Sequence, residues 1–245
     1  MSQSTITDIS RRSPLLLDPG PYGGRYGLDA FLLADFASND WDPEHLHHTA
    51  EIGRPKLADL CTGTGVVALL LAYRCPKLRL FGIDLQEHTL RIAMANARGS
   101  CLRERIDFIL ADVRQADHWF GGGKIDGAVI NPPYRSMGSG RMSPNPARAM
   151  SRYELTLPLE SWLGAAAHMI RLGGSLIFCH MAERELEVIQ AAHSLGFQLV
   201  RLCRVHPMKH RPPMIILAKA IRKKRVLESN LEILSPLIVY RKPGM

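Results

Sequence analysis

The residues Asn131-Pro132-Pro133-Tyr134 combine the groups needed to hold a planar amino group. They follow an apolar run, 125–130, whose pattern predicts a buried strand. Two consecutive prolines end a strand and fix the backbone behind it. The side-chain oxygen of Asn131 and the carbonyl of Pro132 then provide two acceptors, and Tyr134 provides a stacking ring. This pattern suits an –NH2 group on a ring or an amide, although Asn-Pro also predicts an ordinary turn.

A glycine-rich turn lies upstream, between an apolar run at 57–61 and a helical run that begins at Val66. Gly63, Gly65 and Ala68 fit the spacing G-x-G-x-x-G/A. Glycines permit a tight turn and the close approach of a ligand to the backbone at a helix N-terminus. The spacing alone also fits a domain that binds a nicotinamide dinucleotide.

Three aspartates, Asp59, Asp84 and Asp112, stand at the ends of predicted strands. Asp84 follows Gly63 at about the ~20-residue offset of an acid that binds ribose hydroxyls. Asp59 is so close to the turn that it would repel a pyrophosphate, and it suits a cationic or amino-bearing ligand. Any one of these residues could be a helix cap or a turn former. Their recurrence at one end of the predicted sheet favours a binding site.

Helical and strand patterns alternate, which predicts an α/β fold with a doubly wound, mostly parallel seven-stranded sheet and a C-terminal antiparallel hairpin. We expect helices near 28–37, 65–75, 86–98, 158–171 and 182–195. We expect strands near 57–61, 79–84, 106–111, 125–131, 174–180, 197–204 and 213–220. Ligands bind outside the carboxyl ends of the strands in such a sheet. Residues 1–14 are expected to form a flexible tail, and residues 15–245 a single domain.

The composition argues against several classes of protein. A hydrophobic content of 46% supports a large core. No run of about 18 apolar residues occurs, and the first residues lack the apolar stretch of a secretory signal, so we expect no membrane span. Cys61, Cys179 and Cys203 fall within apolar, strand-like runs and are interpreted as core residues of a protein in a reducing, cytoplasmic compartment. The absence of a Cys-x-x-Cys pair gives no support for a zinc knuckle. The acidic and histidine residues within 42–48 are interpreted as a polar loop, and no metal is expected.

The net charge of +8 favours a polyanionic partner. Basic residues gather in three places outside the predicted core. These are Arg135, Arg141, Arg148 and Arg152 after the Asn-Pro-Pro-Tyr turn, Lys209 and Arg211 at the predicted hairpin tip, and Arg222 to Arg225 beyond its last strand. A solvated charged surface is the alternative, but one group lies beside the predicted site, which favours nucleic acid.

The ordered motifs resemble those of S-adenosylmethionine-dependent amino-N methyltransferases. They are Asp59-Leu-Cys-Thr-Gly-Thr-Gly65, then Asp84, Asp112 and Asn131-Pro-Pro-Tyr134. The segments 24–36, 152–154, 172–174, 205–207 and 234–240 resemble the bacterial tRNA adenine-N6 methyltransferases that modify the anticodon loop of a valine tRNA. The resemblance covers nearly the whole chain, from Leu15 to Tyr240.

This resemblance implies transfer of a methyl group from S-adenosylmethionine to the exocyclic amino group of adenine in tRNA, and we expect a monomer. Catalysis would involve Asn131, Pro132, Pro133 and Tyr134. Cofactor contacts would come from Tyr26, Asp29, Asp59, Cys61, Thr62, Gly63, Gly65, Asp84, Leu85, Asp112, Val113 and Asn131. Asp84 would hold the ribose, Asp112 the adenine and Asp59 the methionine amino group. RNA would be contacted by Arg135, Arg141, Arg148, Lys209 and Arg211.

The sequence leaves other functions open. A protein-glutamine methyltransferase would use the same turn on an amide, but it would need a separate peptide-docking domain. A DNA adenine methyltransferase would usually need a larger target-recognition region. A non-catalytic RNA-binding module and a nicotinamide-linked oxidoreductase are further alternatives. The intact Asn131-to-Tyr134 stretch argues against the RNA-binding module, and cofactor binding would separate the oxidoreductase.

Overall fold

The computed structural model describes residues 15, 17–18, 27–41, 54–115, 121–132, 157–226 and 231–240. Within these ranges there are five α-helices, each close to its predicted position. Their bounds are α1 Leu28–Ser38, α2 Val66–Arg74, α3 Glu87–Gly99, α4 Leu159–Met169 and α5 Glu185–Ser194. None of these helices is long and apolar enough to cross a membrane.

The strands form one sheet. Their bounds are β1 Lys56–Leu60, β2 Arg79–Asp84, β3 Ile106–Leu110, β4 Ile125–Ile130, β5 Ile170–Met181, β6 Phe197–His206, β7 Ile215–Arg222, β8 Glu232–Ile233 and β9 Leu237–Ile238. The strand order is β3-β2-β1-β4-β5-β7-β6-β8, and β9 also pairs with β6. The pairs from β3 to β5 are parallel, whereas β7 is antiparallel to both β5 and β6.

The predicted α/β fold and its antiparallel hairpin are confirmed, with one addition. The sheet has nine strands rather than seven, because the short strands β8 and β9 both pair with β6. Each of the two has only two residues, which is too short for an alternating pattern to appear in the sequence.

The sheet is buried on both faces, which explains why its strands are continuous apolar runs. Side chains alternate between the faces. Leu57 of β1 therefore belongs to the core cluster that includes α1 and α2, and Ala58 belongs to the cluster that includes α4 and α5. Both residues have no exposed surface. The central strands are thus rigid supports for the loops at their carboxyl ends.

The strand order reverses between β1 and β4, which creates a crevice at their carboxyl ends. The register aligns those ends, because Leu60 pairs with both Ile83 and Ile130, and Ile130 pairs with Phe178. The next residue of each strand therefore lies at the carboxyl edge of the sheet, which is the end toward which the parallel strands run: Cys61, Asp84, Asn131 and Cys179. The fold therefore brings together residues from four separate parts of the chain.

Candidate active site

The glycine-rich turn between β1 and α2 has the backbone that its residues predict. Gly63 (φ +56°) and Gly65 (φ +82°) lie in the left-handed region, which disfavours residues with a Cβ. A Cβ on Gly65 would lie 2.9 Å from the Cβ of Ala93 in α3, so close packing also requires glycine there. A Cβ on Gly63 would meet no atom within 4 Å. The backbone at Gly63 therefore borders open space that a ligand can enter.

Asp59 is a buried carboxylate near the end of β1, with an exposed fraction of 1%. Its Oδ2 accepts hydrogen bonds from the Thr62 hydroxyl at 2.6 Å and from the Ala68 N–H at 3.1 Å. Ala68 lies in the first turn of α2, and the N-cap residue Gly65 has no side chain to accept from that turn. The carboxylate of Asp59 therefore replaces a normal helix cap.

The charge of Asp59 is unfavourable in the ligand-free protein. Burial raises its pKa to about 7, although the hydrogen bonds from Thr62 and Ala68 oppose this and the charge of Asp84 adds to it. A buried carboxylate of this kind gains from a nearby cation. The site therefore favours a ligand that carries a positively charged group.

Asp84 ends β2 and is directly connected to the glycine-rich turn. Its Oδ2 accepts from the Gly63 N–H at 2.7 Å, and its Oδ1 accepts from the Gln86 N–H at 2.9 Å. Burial raises the pKa of Asp84, and these two backbone hydrogen bonds oppose the shift. The spacing between Gly63 and Asp84 in the sequence thus corresponds to a direct contact.

The strand-end aspartates gather around Cys61, which follows β1 in a left-handed conformation (φ +59°). Burial, and then the charges of Asp84, Asp59 and Asp112, raise the pKa of the Cys61 thiol well above its usual range. A residue with a Cβ is uncommon in this conformation and often marks a functional site. The prediction that the three carboxylates share one edge of the sheet is confirmed.

Asp112 is paired with Arg114, a residue that was not predicted to belong to the site. The Nε of Arg114 lies 3.0 Å from Oδ1 and 2.9 Å from Oδ2, and the Arg114 N–H lies 2.9 Å from Oδ1. The side-chain hydrogen bond from Arg114 is the main reason that the pKa of Asp112 is lowered. Val113 is buried beside it, whereas Leu85 is 54% exposed at the end of β2. A ligand amino group at Asp112 would share the carboxylate with Arg114.

Asn131 is half-buried where β4 ends, one strand away from Asp59. Its Oδ1 accepts a hydrogen bond from the thiol of Cys179 in β5, over an Sγ–Oδ1 distance of 2.8 Å. Pro132 is buried next to it. Six predicted site residues lie outside the described residues. They are Pro133 and Tyr134 of the turn, Arg135, Arg141 and Arg148 of the loop after it, and the predicted cofactor contact Tyr26.

Two residues near the N-terminus have partners in this part of the fold. Asp29 is in the first turn of α1, and its charge adds to the effect of burial in raising the pKa of the Cys179 thiol. Asn96 of α3 binds the backbone of Asp18 twice, accepting from its N–H at 2.8 Å and donating to its carbonyl at 3.0 Å. The Asn96 side chain also reaches the Thr64 carbonyl of the glycine-rich turn at 3.5 Å. Asn96 therefore holds residue 18 beside that turn.

Lys209 and Arg211 are exposed in the connection between β6 and β7. Because Ile215 pairs with Met181, β7 begins at the carboxyl end of β5, and this connection lies on the same edge of the sheet as the crevice. The His206 Nδ1 lies 2.7 Å from the Arg211 carbonyl and donates to it, which orders the connection. Lys209 and Arg211, the two predicted RNA contacts among the described residues, therefore lie at the same edge of the sheet as the crevice.

Arg222 ends β7 at the opposite edge and has a structural role. Its Nε donates to the Ala167 carbonyl of α4 at 3.1 Å, and its Nη1 donates to the Leu195 carbonyl behind α5 at 2.9 Å. Its guanidinium also stacks on the ring of Phe197, 5.6 Å from the centroid. The guanidinium of Arg222 is therefore engaged in contacts within the fold. Its neighbours are exposed at this far edge: Lys223, Lys224 and Arg225.

In the described ranges, no group of three His, Cys, Asp or Glu side chains could hold a metal ion. The predicted polar loop at 42–48 lies outside those ranges. All five cysteines are free thiols, and Cys179 and Cys203 are buried strand residues as predicted.

Three residues with contacts in this part of the fold were not predicted from the sequence: Cys179, Asn96 and Arg114. Cys179 lies in an apolar run and Asn96 in a polar helical stretch, so neither has a local pattern that distinguishes it. Arg114 had a usable signal, because it lies two residues after Asp112, where a side-chain ion pair is possible.

Comparison with known proteins agrees with this geometry. A family model described as a methyltransferase domain matches residues 57–145. A tRNA1(Val) (adenine(37)-N6)-methyltransferase from Porphyromonas gingivalis is 30% identical over 215 residues, which cover 87% of this chain and 80% of that protein. A relative of the same name from Tolumonas auensis is 30% identical, with 84% of this chain and 80% of that protein covered.

Among solved structures, a predicted O-methyltransferase from Agrobacterium tumefaciens superimposes with a TM-score of 0.62 at 18% identity, and 89% of each chain is covered. This likeness shows the fold alone. The relatives from P. gingivalis and T. auensis match over most of their length and of this chain. The chain therefore belongs to the family of tRNA1(Val) (adenine(37)-N6)-methyltransferases.

Proposed function

We propose that the protein transfers a methyl group from S-adenosylmethionine to the exocyclic amino group of an adenine in tRNA. The observation that carries this proposal is the position of Asn131. It places an amide oxygen at the carboxyl end of β4, beside the switch point and next to the strand that carries Asp59 and the glycine-rich turn. An acceptor for an amino group and a site for a cationic cofactor are thus neighbours.

The described residues fit S-adenosylmethionine. The open space at Gly63 lets the methionine part approach the backbone. The buried carboxylate of Asp59 is suited to the methionine ammonium, directly or through water, and Asp84 to the ribose hydroxyls. Asp112, with Val113 beside it, would accept from the adenine amino group. When bound, this cofactor supplies a methyl group that its sulfonium has already activated.

The work left to the protein is alignment and electrostatics. The lone pair of the adenine amino group is delocalised into the ring. If the Asn131 Oδ1 and the Pro132 carbonyl accept its two N–H groups, the nitrogen moves toward a tetrahedral geometry and its lone pair becomes available. A ring at Tyr134 would hold the base by stacking. The nitrogen can release its proton after it gains positive charge, so no strong base is needed beforehand.

The target base must leave its stack to enter such a site. We propose the anticodon loop as the target, because its bases are unpaired and less costly to extrude. The relatives carry names that specify adenine 37 of a valine tRNA, which supports this assignment. The exposed cations Lys209 and Arg211 are on the edge of the sheet where the loop would approach.

An Asn131→Ala variant tests the chemistry. It should still bind S-adenosylhomocysteine through the other predicted cofactor contacts, and its single-turnover methylation of tRNA should fall by ~100-fold or more, since a preorganised acceptor is lost. The substrate is tRNA from a strain that lacks the gene. After methylation by the protein, nucleoside mass spectrometry identifies the product. Asn39→Ala is a matched control, because Asn39 caps α1 away from the site. Methylation by Asn131→Ala within a few-fold of wild type would refute the acceptor role.

The RNA surface is tested separately by salt dependence. Replacing Lys209 and Arg211 with Ala should lower the slope of log affinity against log salt by about 1–2, because fewer counterions are released. Replacing Lys223 and Lys224 with Ala removes the same charge from the opposite edge and should leave the slope unchanged. Equal slopes in both double variants would show that Lys209 and Arg211 are only a solvated surface.

A further inference from the structure

We infer that Cys179 is a positioning residue for methyl transfer: its buried thiol sets the orientation of the Asn131 side-chain amide. The inference rests on the role proposed for Asn131. The contact itself is direct, since the two side chains are 2.8 Å apart from Sγ to Oδ1. The pairing of Ile130 with Phe178 holds the two strands in the register that brings Asn131 beside Cys179.

The direction of this hydrogen bond is chemically defined. An amide oxygen can only accept, so the thiol is the donor. Burial, and then the charge of Asp29, raise the pKa of Cys179 well above its usual range, so the thiol keeps its proton at neutral pH. Cys179 has no exposed surface, so solvent does not reach the thiol in the wild type.

The orientation matters because the two ends of an asparagine amide have nearly the same shape but opposite hydrogen-bonding character. If the amide of Asn131 were reversed, its –NH2 would face the amino group of the substrate, and two donors would oppose each other. Its –NH2 would also meet the sulfur, which is a weak acceptor. The thiol therefore favours the orientation in which the oxygen lies toward β5. An oxygen has two lone pairs, so Oδ1 can accept from the thiol and from a substrate amino group at once, and Asn131 is only half-buried.

Kinetics of three variants test the inference. Cys179→Ala removes the donor and should lower the single-turnover rate by ~10-fold, about the effect of one hydrogen bond. The affinities for tRNA and S-adenosylhomocysteine should stay within about 2-fold, because the thiol contacts neither in this arrangement. Cys179→Ser restores a donor and should recover the rate to within about 3-fold of wild type. Rates are expressed per site that binds S-adenosylhomocysteine, so that partial unfolding does not lower them.

Cys203→Ala is the matched control. Cys203 is a second buried cysteine of the same sheet, and its thiol contacts the Arg204 and Ser235 carbonyls. Its truncation should lower the melting temperature without lowering the rate. A wild-type rate in Cys179→Ala, or equal losses in Cys179→Ala and Cys179→Ser, would overturn the inference, because packing alone would then explain Cys179.

A second measurement does not depend on methylation. The side-chain amide NMR signals of Asn131, assigned by their loss in Asn131→Ala, should shift in Cys179→Ala, stay close to wild type in Cys179→Ser and not move in Cys203→Ala. If the wild type fails to methylate tRNA while these shifts appear, the proposed function is wrong and the contact is real. Unchanged signals in Cys179→Ala would refute the positioning role whatever the activity.

Discussion

Replacing Asp59 with Asn should make the ligand-free protein more stable at alkaline pH and, at the same time, weaken cofactor binding. Asp59 is buried, and its pKa is raised from 3.8 to about 7. The substitution removes the charge but keeps one oxygen, which can still accept from the Thr62 hydroxyl and the Ala68 N–H. The expected gain is therefore the removal of an unfavourable buried charge, with little loss of hydrogen bonding.

The magnitude and its sign follow from the two pKa values. Between pH 3.8 and about 7 the folded protein keeps a proton that the unfolded chain releases. The stability that Asp59 contributes is therefore complete below about pH 4 and is lost, at about 1.4 kcal/mol per pH unit, until about pH 7. Asn cannot titrate. The free energy of unfolding of Asp59→Asn should thus gain ~3 kcal/mol over wild type between about pH 5 and about pH 8.

The assay is urea denaturation of wild type and variant at several pH values, with Asp107→Asn as the control. Asp107 is a half-exposed carboxylate of β3 paired with Arg79, so its variant should show no such gain. Calorimetry with S-adenosylhomocysteine completes the test, because a charged Asp59 should bind the ligand ammonium more tightly as the pH rises through about 7. Parallel stability curves for wild type and Asp59→Asn would refute the burial argument. An unchanged affinity for the ligand would refute the ammonium contact.

Two further predictions concern Asp84 and Arg222. Asp84→Ala should weaken S-adenosylhomocysteine binding by about 1–3 kcal/mol, since it also releases the Gly63 N–H; calorimetry that shows NAD binding and no response to S-adenosylhomocysteine would contradict the assignment. Arg222→Met should lower the free energy of unfolding by ~2–3 kcal/mol, because it leaves the Ala167 and Leu195 carbonyls without this donor. The slope of its log affinity for tRNA against log salt should match that of the wild type, and a lower slope would show that Arg222 contacts phosphate.

Much of the fold, and the geometry of the candidate cofactor site, could be predicted from the sequence because the relevant signals are local. Apolar runs and helical periodicity set the order of the elements. Glycine at 63 and 65 is required by the backbone of a single turn. The offset between Gly63 and Asp84 indicated that both belong to one site, and in the structure the two residues are hydrogen-bonded. The polar residues that follow apolar strands marked the carboxyl edge of the sheet.

The tertiary structure alone decided which distant residues meet. The thiol of Cys179 reaches Asn131 across 48 positions, and Asn96 binds Asp18 across 78. Lys209 and Lys223 look alike in the sequence, yet the antiparallel pairing of β7 with β5 puts them at opposite edges of the sheet. Contacts of this kind depend on strand order and register, which are set by packing across the whole core. A short window of sequence therefore contains no physical record of them.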